Sequence, residues 1–156
     1  MRILVQRIAE AWVDIAGRAT PHAGAGMLAL VGFRRGDHAA QLPPMAAKLL
    51  GLRIFDDEAG RINRSLADIA GDLVVVSQFT LYADMRRGRR PGFDQAMPPA
   101  EARGLFDAFI DECRRGVPQL VTGEFGAGMA VHLTNDGPFT LLLDSDELNI
   151  HPPVSP

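Results

Sequence analysis

The chain carries a single cysteine, Cys113, which excludes an internal disulfide framework and fits a reducing compartment. No apolar run approaches the ~20 residues that span a bilayer. A secretory leader is not visible either, because Arg7 and Glu10 interrupt the apolar residues of the N-terminus. A cytoplasmic protein without a membrane partner is the expectation. Four histidines, His22, His38, His132 and His151, have no metal-ligand spacing, so neither a metal nor a cofactor is expected. A phosphate loop is missing, since Gly24-x-Gly26 lacks a third glycine and a following helix. No Ser/His/Asp order stands out, and no visible motif supplies a conventional general base. The net charge of −3 argues against a surface that is all nucleic-acid footprint, yet leaves room for a local basic patch.

At 156 residues the chain suits one domain with a sizeable core. It is organised around Leu73-Val74-Val75-Val76-Ser77-Gln78-Phe79-Thr80-Leu81, read as one strand over residues 73–82. The β-branched run predicts burial on both faces, and it passes without a break into polar residues, an aromatic and a hydroxyl. Residues 2–15 read as a long strand. Ile3, Val5, Ala11, Val13 and Ile15 share one parity, with a bulge near Ala9-Glu10 and Gly17 at the close. Residues 25–32 predict a central strand. Asp37 could cap a helix reaching Leu50, but Pro43-Pro44 suit a first turn, so the regular part is placed from Pro43. A brief strand at 53–55 leads into a turn at 56–60. Ala102, Leu105, Phe106, Phe109, Ile110 and Cys113 recur at helical spacing between Pro98-Pro99 and Gly116. Met129, Val131 and Leu133 alternate along a half-buried strand, residues 139–143 form another, and 144–156 read as a flexible tail. The expected fold class is α+β: a mixed β-sheet or barrel-like sandwich with two main helices, one domain over residues 1–143.

Candidate chemistry is sparse. His132 reads as a surface position and Cys113 as a small core residue. Ser77 and Thr80, at i and i+3, lie on opposite faces of a regular strand, so one site can use both only if the backbone turns near Gln78-Phe79. Such a turn would offer amide N–H groups to a developing oxyanion; the plain alternative is a strand end with satisfied hydroxyls. Asn135-Asp136-Gly137-Pro138 reads first as a hairpin loop between two strands. Arg86, Arg87, Arg89 and Arg90 form a solvated loop or a patch for RNA phosphates, and composition does not decide between the two.

Ser77-Gln78-Phe79-Thr80-Leu81 together with Asn135-Asp136-Gly137-Pro138-Phe139-Thr140 closely resembles the D-aminoacyl-tRNA deacylase family. Further matching pieces are Gln6-Arg7, Leu52-Arg53-Ile54-Phe55-Asp56-Asp57, Arg90-Pro91-x-Phe93 and Thr122-Gly123-x-Phe125-Gly126-Ala127-x-Met129. They occur in the family's order over about residues 1–143. The resemblance implies a homodimer with shared active sites that hydrolyses the ester joining a D-amino acid, or glycine, to the 3′ end of tRNA. It implies that Ser77, Gln78, Phe79 and Thr80 line the catalytic pocket. Gly137 and Pro138, joined by a cis bond, would enter the partner's pocket and exclude an L side chain, with Arg7 supporting their loop. A separate expectation, from charge clustering and not from the resemblance, is that Arg86, Arg87, Arg89 and Arg90 contact tRNA phosphates. Three departures stand out: Phe139 replaces a smaller valine, Pro43-Pro44 alters the first helix, and the tail after Leu143 lies outside the resemblance.

The resemblance also accounts for the missing base. An aminoacyl ester is already activated, and its neighbouring ribose 2′-OH can assist an attacking water. Geometry and the Phe79 and Thr80 amides then suffice. The rival mechanism makes the Thr80 hydroxyl the acyl acceptor. Two other classes stay open: a non-catalytic aminoacyl-tRNA-binding module, and a metal-dependent hydrolase, whose clustered ligands the sequence does not display.

Overall fold

The computed structural model describes residues 1–150. Strand β1, Arg2–Ile15, is the spine. On one side it pairs antiparallel with β2, Arg18–Ala19, and β3, Gly26–Gly32. Helix α1, Leu42–Leu50, and a small hairpin of β4, Phe55–Asp56, and β5, Ile62–Arg64, follow. Strand β6, Asp72–Ser77, lies parallel to β3, and after helix α2, Pro99–Arg114, strand β7, Leu120–Thr122, lies parallel to β6. Strand β8, Met129–Asp144, covers the other edge of β1 along almost its whole length. The class is α+β, a mixed sheet curled into a half-barrel with two main helices.

The bulge in β1 decides which core each of its residues enters. Pairing with β8 shifts register between Gln6 and Ile8 and again between Ile8 and Glu10. Ile3 and Val5 therefore pack with Met27, Leu73 and the helices, whereas Ala11 and Val13, of the same parity, pack with Ile8, Leu28 and Val74 on the opposite face. One inserted residue turns a strand over. Strand β6 is buried on both faces as its composition predicts, with Leu73 and Val75 in the helix-side core and Val74 and Val76 in the other. Helix α2 buries Ala102, Phe106, Phe109, Ile110 and Cys113. Burial, and secondarily Glu112, pushes the Cys113 thiol up to about 12, an inert core sulfur.

Four expectations need correction or completion. The strand read through to Tyr82 stops at Ser77, and Phe79–Tyr82 form a 3₁₀ helix. Asp37 does not cap α1: it takes the buried ammonium of Met1 at 2.9 Å and the Arg34 amide at 2.8 Å. His38 caps the preceding 3₁₀ turn, Ala39–Gln41. Asn135–Pro138 is no hairpin, because the chain continues in the same direction along β1. Ile8 stands opposite Asn135 and Gln6 opposite Thr140, which leaves Arg7 alone facing the four residues 136–139. Residues 144–150, assigned to a tail by composition, are tied down. Ser145 is fully buried, its amide donates to Met1 O at 2.9 Å, and the Ile150 amide donates back to Ser145 O at 2.8 Å. The remainder of the expected tail, 151–156, lies outside the described residues.

Candidate active site

A cavity of about 740 Å³ opens at the C-terminal ends of β3 and β6, a size that suits a nucleoside carrying a small acyl group. Its floor is Val31, Val76, Ser77 and Gln78. Phe33, Met97 and Phe125 supply apolar wall, and Met129 and Val131 reach in from β8. Phe79, 57% exposed, meets Phe93 edge-on at 5.0 Å across the rim. Strand β6 ends here for a local reason. The Gln78 amide donates to Val31 O at 2.7 Å, after which Gln78 leaves the extended region at ψ 84°. Gly32 permits the approach, since a Cβ there would lie 2.7 Å from Gln78 O.

The turn changes what the four polar positions can do. Phe79 and Thr80 open a 3₁₀ helix, whose leading N–H groups have no intrahelical partner. Ser77, Gln78 and Phe79 line the cavity. Thr80 is exposed beside it, its hydroxyl accepting a hydrogen bond from Gln78 Nε2.

Gly137 and Pro138 do not line this cavity. They are exposed on β8, joined by a cis peptide bond, with Gly137 at φ 136°. Asn135 closes the loop: its Oδ1 accepts from the Phe139 amide at 2.7 Å and its Nδ2 donates to Thr140 Oγ1 at 3.2 Å. Arg7, 8% exposed, holds it from below. Its Nε donates to Asp136 O at 3.0 Å, another guanidinium nitrogen donates to Ile54 O at 2.8 Å, and the ring of Phe139 lies 5.2 Å beneath its charge. The bulky Phe139 thus gives the arginine an aromatic bed.

The sequence of residues 4–144 matches the family model described as D-Tyr-tRNA(Tyr) deacylase. The chain belongs to the D-Tyr-tRNA(Tyr) deacylase family. The D-aminoacyl-tRNA deacylase of Variovorax paradoxus (strain S110) is 55% identical over 143 residues, 92% of this chain and 98% of that protein. That of Thermomicrobium roseum is 55% identical over 149 residues, 95% and 96% of the two chains. Among solved structures, one titled c-Myc DNA Unwinding Element Binding Protein superposes with TM-score 0.88 at 36% identity, covering 93% of this chain and 99% of that one. A probable eukaryotic D-amino acid tRNA deacylase, at 20% identity and TM-score 0.79 over 91% and 97% of the two chains, shares the fold. The enzyme class is that of the D-aminoacyl-tRNA deacylases, ester hydrolases acting on aminoacyl-tRNA.

In this deacylase the basic loop sits beside the rim, closed by paired Asp84 and Gly92. Arg86 is committed to Asp84, at 2.9 and 2.7 Å, and pulls that carboxyl down to about 2. Arg87, Arg89 and Arg90 are exposed, with no hydrogen bond or ion pair among the described residues. His132 does not line the cavity; it stacks on Trp12 at 4.7 Å. Among the described residues no group of three or more His, Cys, Asp or Glu is placed to hold a metal, and no helix is long and apolar enough to cross a membrane. Sequence reasoning quoted Asn135 and Phe125 within motifs but gave neither a role, closing the deacylase's loop or walling the cavity, and it did not single out Phe33 or Met97. A polar side chain bonding within its own loop, and core-like residues facing a void, leave no distinct pattern in one sequence.

Proposed function

We propose that the chain hydrolyses D-aminoacyl-tRNA, and tRNA mischarged with glycine, in the cytoplasm, and that it rejects L-aminoacyl-tRNA with a loop supplied by a second copy of itself. The observation that carries this reading is the separation of parts. Ser77, Gln78 and Phe79 line a cavity of fitting size, while Gly137 and Pro138, in the stretch 136–139 where β8 carries more residues than β1 opposite it, are exposed and absent from that cavity's lining. An exposed loop that does not line the pocket of its own chain is available to a partner's, which supports a site shared between two copies.

Water is the nucleophile. Its oxygen adds to the ester carbonyl, assisted by the ribose 2′-OH, and the amides of Phe79 and Thr80 take the resulting oxyanion. Collapse breaks the bond to the 3′ oxygen, which receives a proton, and frees the amino acid. The Thr80 hydroxyl accepts from the Gln78 side-chain Nε2, a donor that cannot remove its proton, which disfavours Thr80 as acyl acceptor. Gly137 and Pro138 exclude by occupying the volume an L side chain requires. Arg87, Arg89 and Arg90, with Arg86 behind them, hold tRNA phosphates.

The test compares turnover of D-Tyr-tRNA, L-Tyr-tRNA and Gly-tRNA, with and without chelator. The first and third should be cleaved, the second spared, and chelator should change nothing. Turnover of none of them would leave a binding module, and loss with chelator a metal-dependent hydrolase. Thr80→Ala should keep most of its turnover, whereas a 2′-deoxy terminal adenosine should abolish it; the reverse pattern would make Thr80 the nucleophile.

A further inference from the structure

Three residues stand in register across neighbouring strands beside the 3₁₀ helix: Asp144 on β8, Arg2 on β1 and Gly32 on β3. Arg2 Nε donates to Asp144 Oδ2 at 2.7 Å. A second guanidinium nitrogen donates to Leu81 O at 2.9 Å, and the charge lies 4.7 Å over the Tyr82 ring. Leu81 and Tyr82 are the last half of the helix that begins with Phe79 and Thr80. On the other side of Arg2, the missing side chain of Gly32 leaves space that Gln78 O and Leu81 Cβ fill; a Cβ would lie 2.7 and 3.1 Å from them.

We infer that Arg2 is a positioning residue for the deacylase reaction. Seated by Asp144, it fixes the 3₁₀ helix and thereby aims the Gln78 side chain and the Phe79 and Thr80 amides at the cavity. The inference rests on the proposed role of those groups. A planar fork with several donors suits the task. One side chain satisfies a carboxylate and a carbonyl while its flat face rests on a ring, which an ammonium cannot reproduce. The Ser77 end of the turn needs no such help, because the Gln78 amide is already bonded to Val31 O. The Leu81 end depends on Arg2, and a misplacement of the order of 1 Å in a catalytic group can lower a rate about 100-fold.

A neighbouring arginine supplies the control. Arg34 is bound to Asp146 at 2.6 Å, and its side chain is 38% exposed against 37% for Arg2. It makes no hydrogen bond to the helix. The experiment measures kcat, KM and Tm with D-Tyr-tRNA for the wild-type chain, Arg2→Ala, Arg2→Lys, Asp144→Asn and Arg34→Ala. Arg2→Ala should lower kcat by roughly 10- to 100-fold with KM within about twofold. Arg2→Lys should recover only part of that loss, and Asp144→Asn should lose less than Arg2→Ala. Arg34→Ala should lose comparable thermal stability but keep its kcat. If Arg2→Ala does not fold, Arg2→Lys and Asp144→Asn carry the same comparison. Wild-type kcat in the Arg2 variants, or an equal kcat loss in Arg34→Ala, would overturn the inference while leaving the functional reading intact. A wild-type chain inert toward D-Tyr-tRNA would overturn that reading and this inference with it.

Discussion

Two irregular segments interrupt otherwise regular strands, and β1 holds each with an arginine. At the end of β6, Arg2 reaches Leu81 O, Asp144 and the Tyr82 ring. In the middle of β8, Arg7 reaches Asp136 O, the Asp136 carboxylate at 3.1 Å and the Phe139 ring. The same three kinds of partner serve both: a backbone carbonyl, a carboxylate and an aromatic face. The difference lies in what each segment then faces. The first projects residues into a cavity of its own chain, and the second projects Gly137 and Pro138 into solvent. In the site proposed above, one half lies within one copy and the other half is assigned to a neighbour.

The largest effect expected from breaking this pairing is at Arg7. Arg7→Ala leaves the carbonyls of Ile54 and Asp136 without their donor, which costs about 2–4 kcal/mol and lowers Tm by roughly 5–15 °C. More telling than the stability loss, it should loosen exclusion. The ratio of L-Tyr-tRNA to D-Tyr-tRNA turnover should rise on the order of tenfold or more, while Arg2→Ala lowers both rates and leaves their ratio alone. A ratio unmoved by Arg7→Ala would separate the loop from specificity.

The basic loop should respond to salt rather than to chirality. Alanine at Arg87, Arg89 or Arg90 should weaken tRNA binding and flatten its log–log salt dependence by up to ~0.7–0.9 per lost contact. Arg86→Ala should change it less, because that charge is already neutralised by Asp84. Unchanged slopes in all four variants would mean a solvated loop.

The smallest effect concerns pH. Burial pushes the Asp144 carboxyl up, but Arg2 and the Asp146 amide outweigh it and hold the group below the usual carboxylate range. A carboxyl depressed in the folded state adds stability above its unfolded pKa, about 4, and loses it as pH falls through the folded value. Urea midpoints of the wild-type chain and Asp144→Asn should therefore differ at about pH 7 and draw together as pH falls below about 4. A difference that persists in acid would show that the carboxylate charge is not what seats Arg2.

Much of this was legible in the sequence. The β-branched run of residues 73–76 and the helical spacing from Ala102 to Cys113 placed β6 and α2 because their burial patterns are local and periodic. The polar end of β6 pointed to a site and required a turn near Gln78, and a turn is there. Other features depend on what lies across the sheet. The face that Ala11 and Val13 enter is set by a bulge whose count is kept by β8. Asn135–Pro138 has the composition of a hairpin, yet β1 holds β8 straight on either side of it. The stretch from 144 to 150 has a tail's composition but is fixed by the Met1 amino group and carbonyl, partners at the opposite end of the chain. Arg2 and Arg7 look alike in sequence, two cations in one strand, and only pairing distributes them to different segments.

Mixing two defective chains tests the shared site most directly. A chain with Phe79→Pro and Thr80→Pro lacks the two oxyanion amides, and a chain with residues 136–139 shortened lacks the loop but keeps its pocket. Alone, the first should be inactive and the second should cleave L- and D-Tyr-tRNA with little preference. Refolded together, they should form a mixed assembly in which one intact pocket meets one intact loop, and D-selective hydrolysis should return. A mixture whose selectivity stays equal to that of the loop-shortened chain would contradict a site built from two copies.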